Sequence, residues 1–294
     1  LLYGFSGRSS RRLQDRLEDF LQQLAEVSAT KLGLRPLQTA ARLLAALDVQ
    51  SSHQASRMTA LLQSAMMEAE NLSEGCGFDD VTDLLYALEP WSSKFPRQCV
   101  VQLQGWLCAS VSSTKPGKLL ELLHTLSMSR GATEYCSLEL LTILASELLA
   151  QSQVLGGAGL ALALQAFGRL RVLQRHGGHV DGGAVSQEGK LPRLVAALLR
   201  SLLVLERRLS LSDAAKAAHF CALCAMDSPL LTEAERAEAK DGLARLLERL
   251  SWEQKRWSLE DRKLLTEVAT LLRSEYPELL RSGWVARSVI TTLE

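Results

Sequence analysis

Isoleucine is almost absent from this chain: 2 residues in 294, with 15 valines, against 61 leucines. Aromatic residues make up only 5%. Strands favour β-branched and aromatic side chains, whereas Leu and Ala favour helices, so this balance excludes a β or α/β fold. An excess of either charge is missing too, with 33 basic residues against 33 acidic ones. Neutrality excludes a generally basic nucleic-acid coat and an acidic disordered tail. The six cysteines have no dense spacing, which excludes a secreted disulfide framework and leaves small reduced thiols in amphipathic segments. Long apolar runs are scarce. The longest uncharged stretch, Leu148 to Gly168, could span a bilayer by length alone. It carries Gln151, Ser152, Gln153 and Gln165, which are costly in lipid, so a buried helix pair broken at Gly156-Gly157 is expected, with no membrane insertion.

What is present is helical periodicity. Leu13, Leu17, Phe20, Leu21 and Leu24 form one stripe of an amphipathic helix, and Leu37, Ala40, Leu43, Leu44 and Leu47 form a second behind Pro36. Met58, Leu61, Leu62, Ala65, Met66, Ala69 and Leu72 form a third. Asp79-Asp80 caps a fourth, with Val81, Leu84, Leu85 and Leu88, that stops before Pro90. Further helices are expected near 95–112, 116–129, 134–152, 158–176, 190–209, 211–226, 232–250, 259–274 and 277–292. Glycines and prolines punctuate them. Thr232 with Glu235 spells a capping box, and Ser258 with Asp261 a weaker one. Leu85, Leu144, Leu164 and Leu199 are expected in the core.

Taken in pairs, the helices make hairpins that begin near residues 9, 51, 94, 132, 188 and 232. The fold expected is all-α, an α-solenoid of about six helical hairpins with roughly 40-residue repeats. It is read as a single domain over 1–294, with the glycine loop at 177–189 as the candidate hinge. An irregular helical bundle is the alternative.

No catalytic or cofactor motif is complete anywhere along the sequence. His176, His179 and Asp181 share a glycine loop, but zinc needs further convergent ligands and a supporting second shell. His219, Cys221 and Cys224 include one CxxC spacing inside a helical stripe, where two cysteines pack as core thiols. Gly183 to Lys190 has one residue too many between its glycines for a P-loop, and Leu191 stands where a magnesium-binding hydroxyl would be. Gly157-Ala-Gly159 lacks both a third glycine and a preceding strand. Ser6 has no nucleophile-elbow frame. The acidic sets Glu68-Glu70-Glu74 and Asp79-Asp80-Asp83 read as solvated faces that favour helix N-termini. No catalytic residue, metal or cofactor is expected, and the chain is not read as an enzyme.

Charge distribution says more. Residues 68–89 carry seven acids and no base, whereas 152–209 carry eight bases against three acids. The candidate RNA-binding residues are Arg169, Arg171, Arg175, Lys190, Arg193, Arg200, Arg207 and Arg208. Arg193, Arg200 and Arg207 recur every seven residues, so on one straight helix they would form a basic stripe opposite Leu191, Val195, Leu198, Leu199 and Leu202. Such a stripe binds phosphates without reading sequence, or docks on an acidic partner.

The phrases FDDVTDLLYAL from Phe78, LELLTILA from Leu138, LALALQAFGRL from Leu160 and SLSDAA from Ser210 resemble the helical-repeat region of organellar RNA-associated proteins of the RAP and FAST-kinase-like type. The resemblance spans about residues 36–275, and no β-rich RAP segment is recognisable within the sequence. It implies a mitochondrial location and a place in RNA processing or a ribosome-like particle. The expected function is therefore a structural subunit of a mitochondrial ribonucleoprotein, most naturally the ribosome, touching ribosomal or other structured RNA and neighbouring protein subunits. A protein-only adaptor is the alternative. Protein purified without chelators should carry zinc well below one equivalent by elemental analysis. A stoichiometric metal that disappears on replacing His176 or Cys221 would overturn that reading.

Overall fold

The structure, a computed structural model, describes residues 78–88, 97–128, 136–172, 190–226 and 228–277, with the single positions Arg16, Asp19, Gln23, Ala60 and Leu280. The chain divides into two compact units, 1–113 and 114–294. Every regular element among the described residues is helical, and none of them is in a strand. Apart from those single positions, the expected hairpin near 9 and the first helix of the hairpin near 51 lie outside the described residues, as do the loop at 177–189 and most of the helix at 277–292.

In the first unit, α1 (Phe78–Leu88) packs on α2 (Arg97–Val111). Asp79 and Asp80 occupy the first turn of α1, where the helix dipole favours carboxylates. Val81, Leu84, Leu103 and Leu107 are buried. Leu85 corrects one expectation, being only half-buried. Leu84 takes the fully buried position beside it, because the apolar face is centred on Val81 and Leu84.

The second unit holds α3 (Pro116–Met128), α4 (Leu138–Ala150), α5 (Ser152–Arg169), α6 (Lys190–Val204), α7 (Leu211–Phe220), α8 (Glu233–Trp252) and α9 (Leu259–Glu275). Contacts between helices two apart dominate. α3 packs on α5, α5 on α7 and α7 on α9, while α4 packs on α6 and α6 more lightly on α8. Cross-contacts of α5 with α6 and of α7 with α8 join the two rows. Leu144, Leu164 and Leu199 are buried as expected. Each buried leucine contributes about 1.5–3 kcal/mol relative to an exposed one.

Caps fix where several helices start. The Ser137 hydroxyl accepts from the Leu140 N–H at 3.1 Å, and the Ser210 hydroxyl from the Asp213 N–H at 3.2 Å. Both capping boxes read from the sequence close. The Thr232 hydroxyl accepts from the Glu235 N–H at 3.3 Å, and the Glu235 carboxylate accepts from the Thr232 N–H at 2.9 Å. Ser258 and Asp261 exchange the same pair at 3.1 and 2.9 Å. Burial pushes the Asp261 carboxyl up, but hydrogen bonds from Ser258 and Ser212, with the Lys216 charge nearby, outweigh it and leave it below its ordinary value.

The uncharged stretch from 148 to 168 is the inner helix of this unit. α5 touches α3, α4, α6 and α7, and residues from Gly159 to Gly168 are buried except for the half-buried Leu162. No helix among the described residues is long and apolar enough to cross a membrane. As expected, the helical path breaks at Gly156, with φ 61° and ψ −169°. Next to it, a Cβ on Gly157 would lie 2.5 Å from a Leu209 methyl, so the absence of a side chain lets the chain after α6 close onto α5. The Gly156 conformation is open to glycine almost alone, and an L side chain there costs about 1–3 kcal/mol. Gly156→Ala should therefore lower stability by that amount in a denaturant melt although its Cβ would meet open space, and an unchanged midpoint would show that the kink is not required.

Candidate functional site

The apolar face of α6 is as the heptad predicts: Leu191, Val195, Leu198, Leu199 and Leu202 are buried, and Lys190, Arg193 and Arg200 are exposed. The helix stops at Val204, however, and Glu206–Arg208 form a single 3-10 turn. Arg207 therefore leaves the straight-helix stripe that its spacing suggests. Arg200 remains on α6 but is already engaged, with its Nε 3.0 Å from a Glu238 carboxylate oxygen on α8. Both partners are well exposed, so this pair is screened by solvent and worth little for stability.

The other predicted residues are dispersed. Arg169 ends α5 half-buried, 2.7 Å from the Met128 sulfur. Arg171 is exposed in the following turn with φ 52°. Arg175 lies outside the described residues, as do His176, His179, Asp181 and the acidic set at 68–74.

The turn after α6 gathers cations that lie far apart in the sequence. A cleft of about 230 Å³ is lined by Glu206, Arg207, Arg245, Leu246 and Arg249. Arg245 Nε donates to the Glu206 carboxylate at 2.8 Å. The Arg249 guanidinium donates to the Glu206 carbonyl and, at 2.6 Å, to the Leu209 carbonyl. The Glu206 carbonyl otherwise accepts only a long bond from the Leu209 N–H, at 3.4 Å, so one rigid fork completes it, takes the Leu209 carbonyl as well and ties the α6–α7 corner to α8. Glu253 lies 3.8 Å from Arg249 and 3.0 Å from Arg256. Arg207 is exposed with no ion-pair partner among the described residues. Arg208 is also exposed but lines a different surface, a groove against the Gly156 kink of α5.

Sequence reasoning found Arg207 and Arg208 but missed Arg245 and Arg249. Their only signal was an i, i+4 arginine pair on a mixed-charge helix, and nothing local says that this face meets the 206–209 turn. Chemically, the cleft can take an oxyanion: two guanidiniums are used internally, and the third is free to bind.

The histidine–cysteine motif resolves otherwise. The α-helix that holds His219 ends at Phe220 and widens into a π turn over Cys221–Ala225. Cys221 is a buried thiol outside any disulfide, and His219 Nε2 lies 2.9 Å from Glu267 on α9. Burial lowers the His219 pKa, Glu267 opposes that shift, and Arg169 adds to it. The His124 pKa is lowered by burial and by the charges of Arg169 and Lys216. No group of three metal-binding side chains converges among the described residues.

The division of labour in the cleft has a measurable consequence. Arg249→Met should destabilise the fold by about 1–3 kcal/mol, because it leaves two carbonyls without a charged donor. Arg207→Met should leave the melt nearly unchanged. Equal destabilisation in both variants would show that Arg207 is structural as well. Compared with known proteins, the chain matches no family model and no curated sequence.

Proposed function

We propose that this chain is a non-catalytic helical-repeat structural subunit of a ribonucleoprotein that rests on RNA phosphates at the corner between α6 and α7. The i to i+2 packing of the second unit supports an α-solenoid in which each hairpin stacks on the next. The count of about six hairpins, with repeats of roughly 40 residues, is part of the same proposal and comes from the spacing of helices in the sequence. The mitochondrial setting, and the ribosome as the particle, rest on the family resemblance alone. One observation carries the RNA reading: Arg207 is an exposed, unpartnered cation beside Arg245 and Arg249, placed on a turn that Arg249 holds rigid. With the turn's backbone already fixed, only the Arg207 side chain has to be ordered on binding phosphate.

A protein-only adaptor is favoured by a different observation, the Arg200–Glu238 pair, which partly neutralises the exposed face of α6. The triple variant Arg193→Gln, Arg200→Gln, Arg207→Gln separates the two readings. On the RNA reading it binds unrelated RNAs more weakly by a common factor. The slope of log affinity against log salt becomes shallower by about 0.7–0.9 for each phosphate that the variant no longer neutralises. Helicity survives, since Gln has nearly the helix propensity of Arg. Unchanged affinity and slope with intact helicity would give the adaptor reading precedence.

A further inference from the structure

Beside the arginine cleft, on the other surface of the same turn, lies a groove of about 620 Å³ that is open to solvent. Leu160, Val204, Leu205 and Leu209 make it largely apolar, and Arg208 is the one charged residue lining it among the described residues. Val204 is 80% exposed on the rim of this concave apolar surface, and burying it there against a partner is favourable. Gly156 borders the groove with no atom within 4 Å of where a Cβ would stand, so a bound backbone could come close there. Arg208 has no ion-pair partner among the described residues.

We propose that this groove docks an amphipathic helix of a partner protein, which presents aliphatic side chains to Leu160, Val204 and Leu205 and a carboxylate to Arg208. Charge complementarity selects the occupant. The lining offers one guanidinium and no acid, so an apolar helix edged with Glu or Asp matches it, whereas one edged with Lys places like charges together. The openness of the groove argues for a helix and against a fatty acid, because small ligands bind where most of their surface is enclosed. This surface is separate from the phosphate cleft: Arg207 and Arg208 are neighbours in one 3-10 turn but line different concavities.

The test uses the full chain with labelled Leu and Val methyl groups. The first probe is an alanine-based helical peptide with leucines four residues apart flanked by glutamates. The second has lysine at each glutamate position, and the third is decanoate. The glutamate peptide should shift the Val204, Leu160 and Leu209 methyls and bind at least roughly tenfold more tightly than the lysine peptide. Arg208→Glu should reverse that preference. Val204→Asp, at an exposed position, should abolish binding without loss of helicity. Equal binding of both peptides, or no methyl shift with either, would overturn the proposal. Shifts produced by decanoate alone would replace the partner helix with a small apolar acid.

Discussion

A helix with a broad Leu and Ala face cannot bury that face against a single neighbour, and the second unit is organised by this constraint. The solution is packing between helices two apart, repeated along two rows and joined by cross-contacts. α5 shows its consequence most fully. With neighbours on four sides it has almost no polar face, and its composition is that of an interior element. α7 meets the same demand through size. Ala214, Ala215, Ala217 and Ala218 are all buried, and such small side chains let α5, α8 and α9 approach one short helix. Gly242 does likewise on α8, where a Cβ would lie 2.7 Å from both methyls of Leu203 on α6.

Close packing transfers the problem of polar groups to the ends of helices. Serine and threonine caps satisfy orphan N–H groups at the starts of α4, α7, α8 and α9. Beyond the end of α6 the local device is weak, a 3.4 Å bond from the Leu209 N–H to the Glu206 carbonyl, and the Arg249 guanidinium reaches from α8 to take the carbonyls of Glu206 and Leu209. That bond network fixes the direction of the chain into α7. It also holds Arg207 and Arg208 at the surface, where they line two different concavities. A structural requirement thus produces the basic corner, and it leaves Arg207 as the one guanidinium in the cleft with no ion-pair partner among the described residues.

The eight cations singled out from the sequence were chosen by local density and heptad spacing. Those rules are sound for Arg193 and Arg200, which stay on α6 and face outward. They fail for Arg207, because spacing cannot reveal that the helix stops three residues earlier. A stop of this kind leaves little mark: Leu205 and Glu206 are ordinary helix formers, and no glycine or proline intervenes before Ser210. Arg245 and Arg249 were invisible for another reason. Their role depends on which turn their face meets, and the groups they bond there lie 39–43 residues away in the chain.

The all-helical class, the Gly156 break and both capping boxes were legible in the sequence itself, whereas helix ends were not: the helices expected over 158–176 and 190–209 run over Ser152–Arg169 and Lys190–Val204. The legible features are all properties of local stretches: side-chain spacing at 3.6 residues per turn, φ freedom at one glycine, and hydrogen bonds between residues three apart. Leu85 marks the edge of that reach. It lies on the right helix, but whether it or Leu84 fills the core depends on the neighbour's position. Tertiary structure alone decided which helices share a row and which arginines converge. It also decided which guanidiniums are spent on internal hydrogen bonds and which stay exposed. Those outcomes depend on distances between segments far apart in the chain, and side-chain periodicity within a segment carries no information about them.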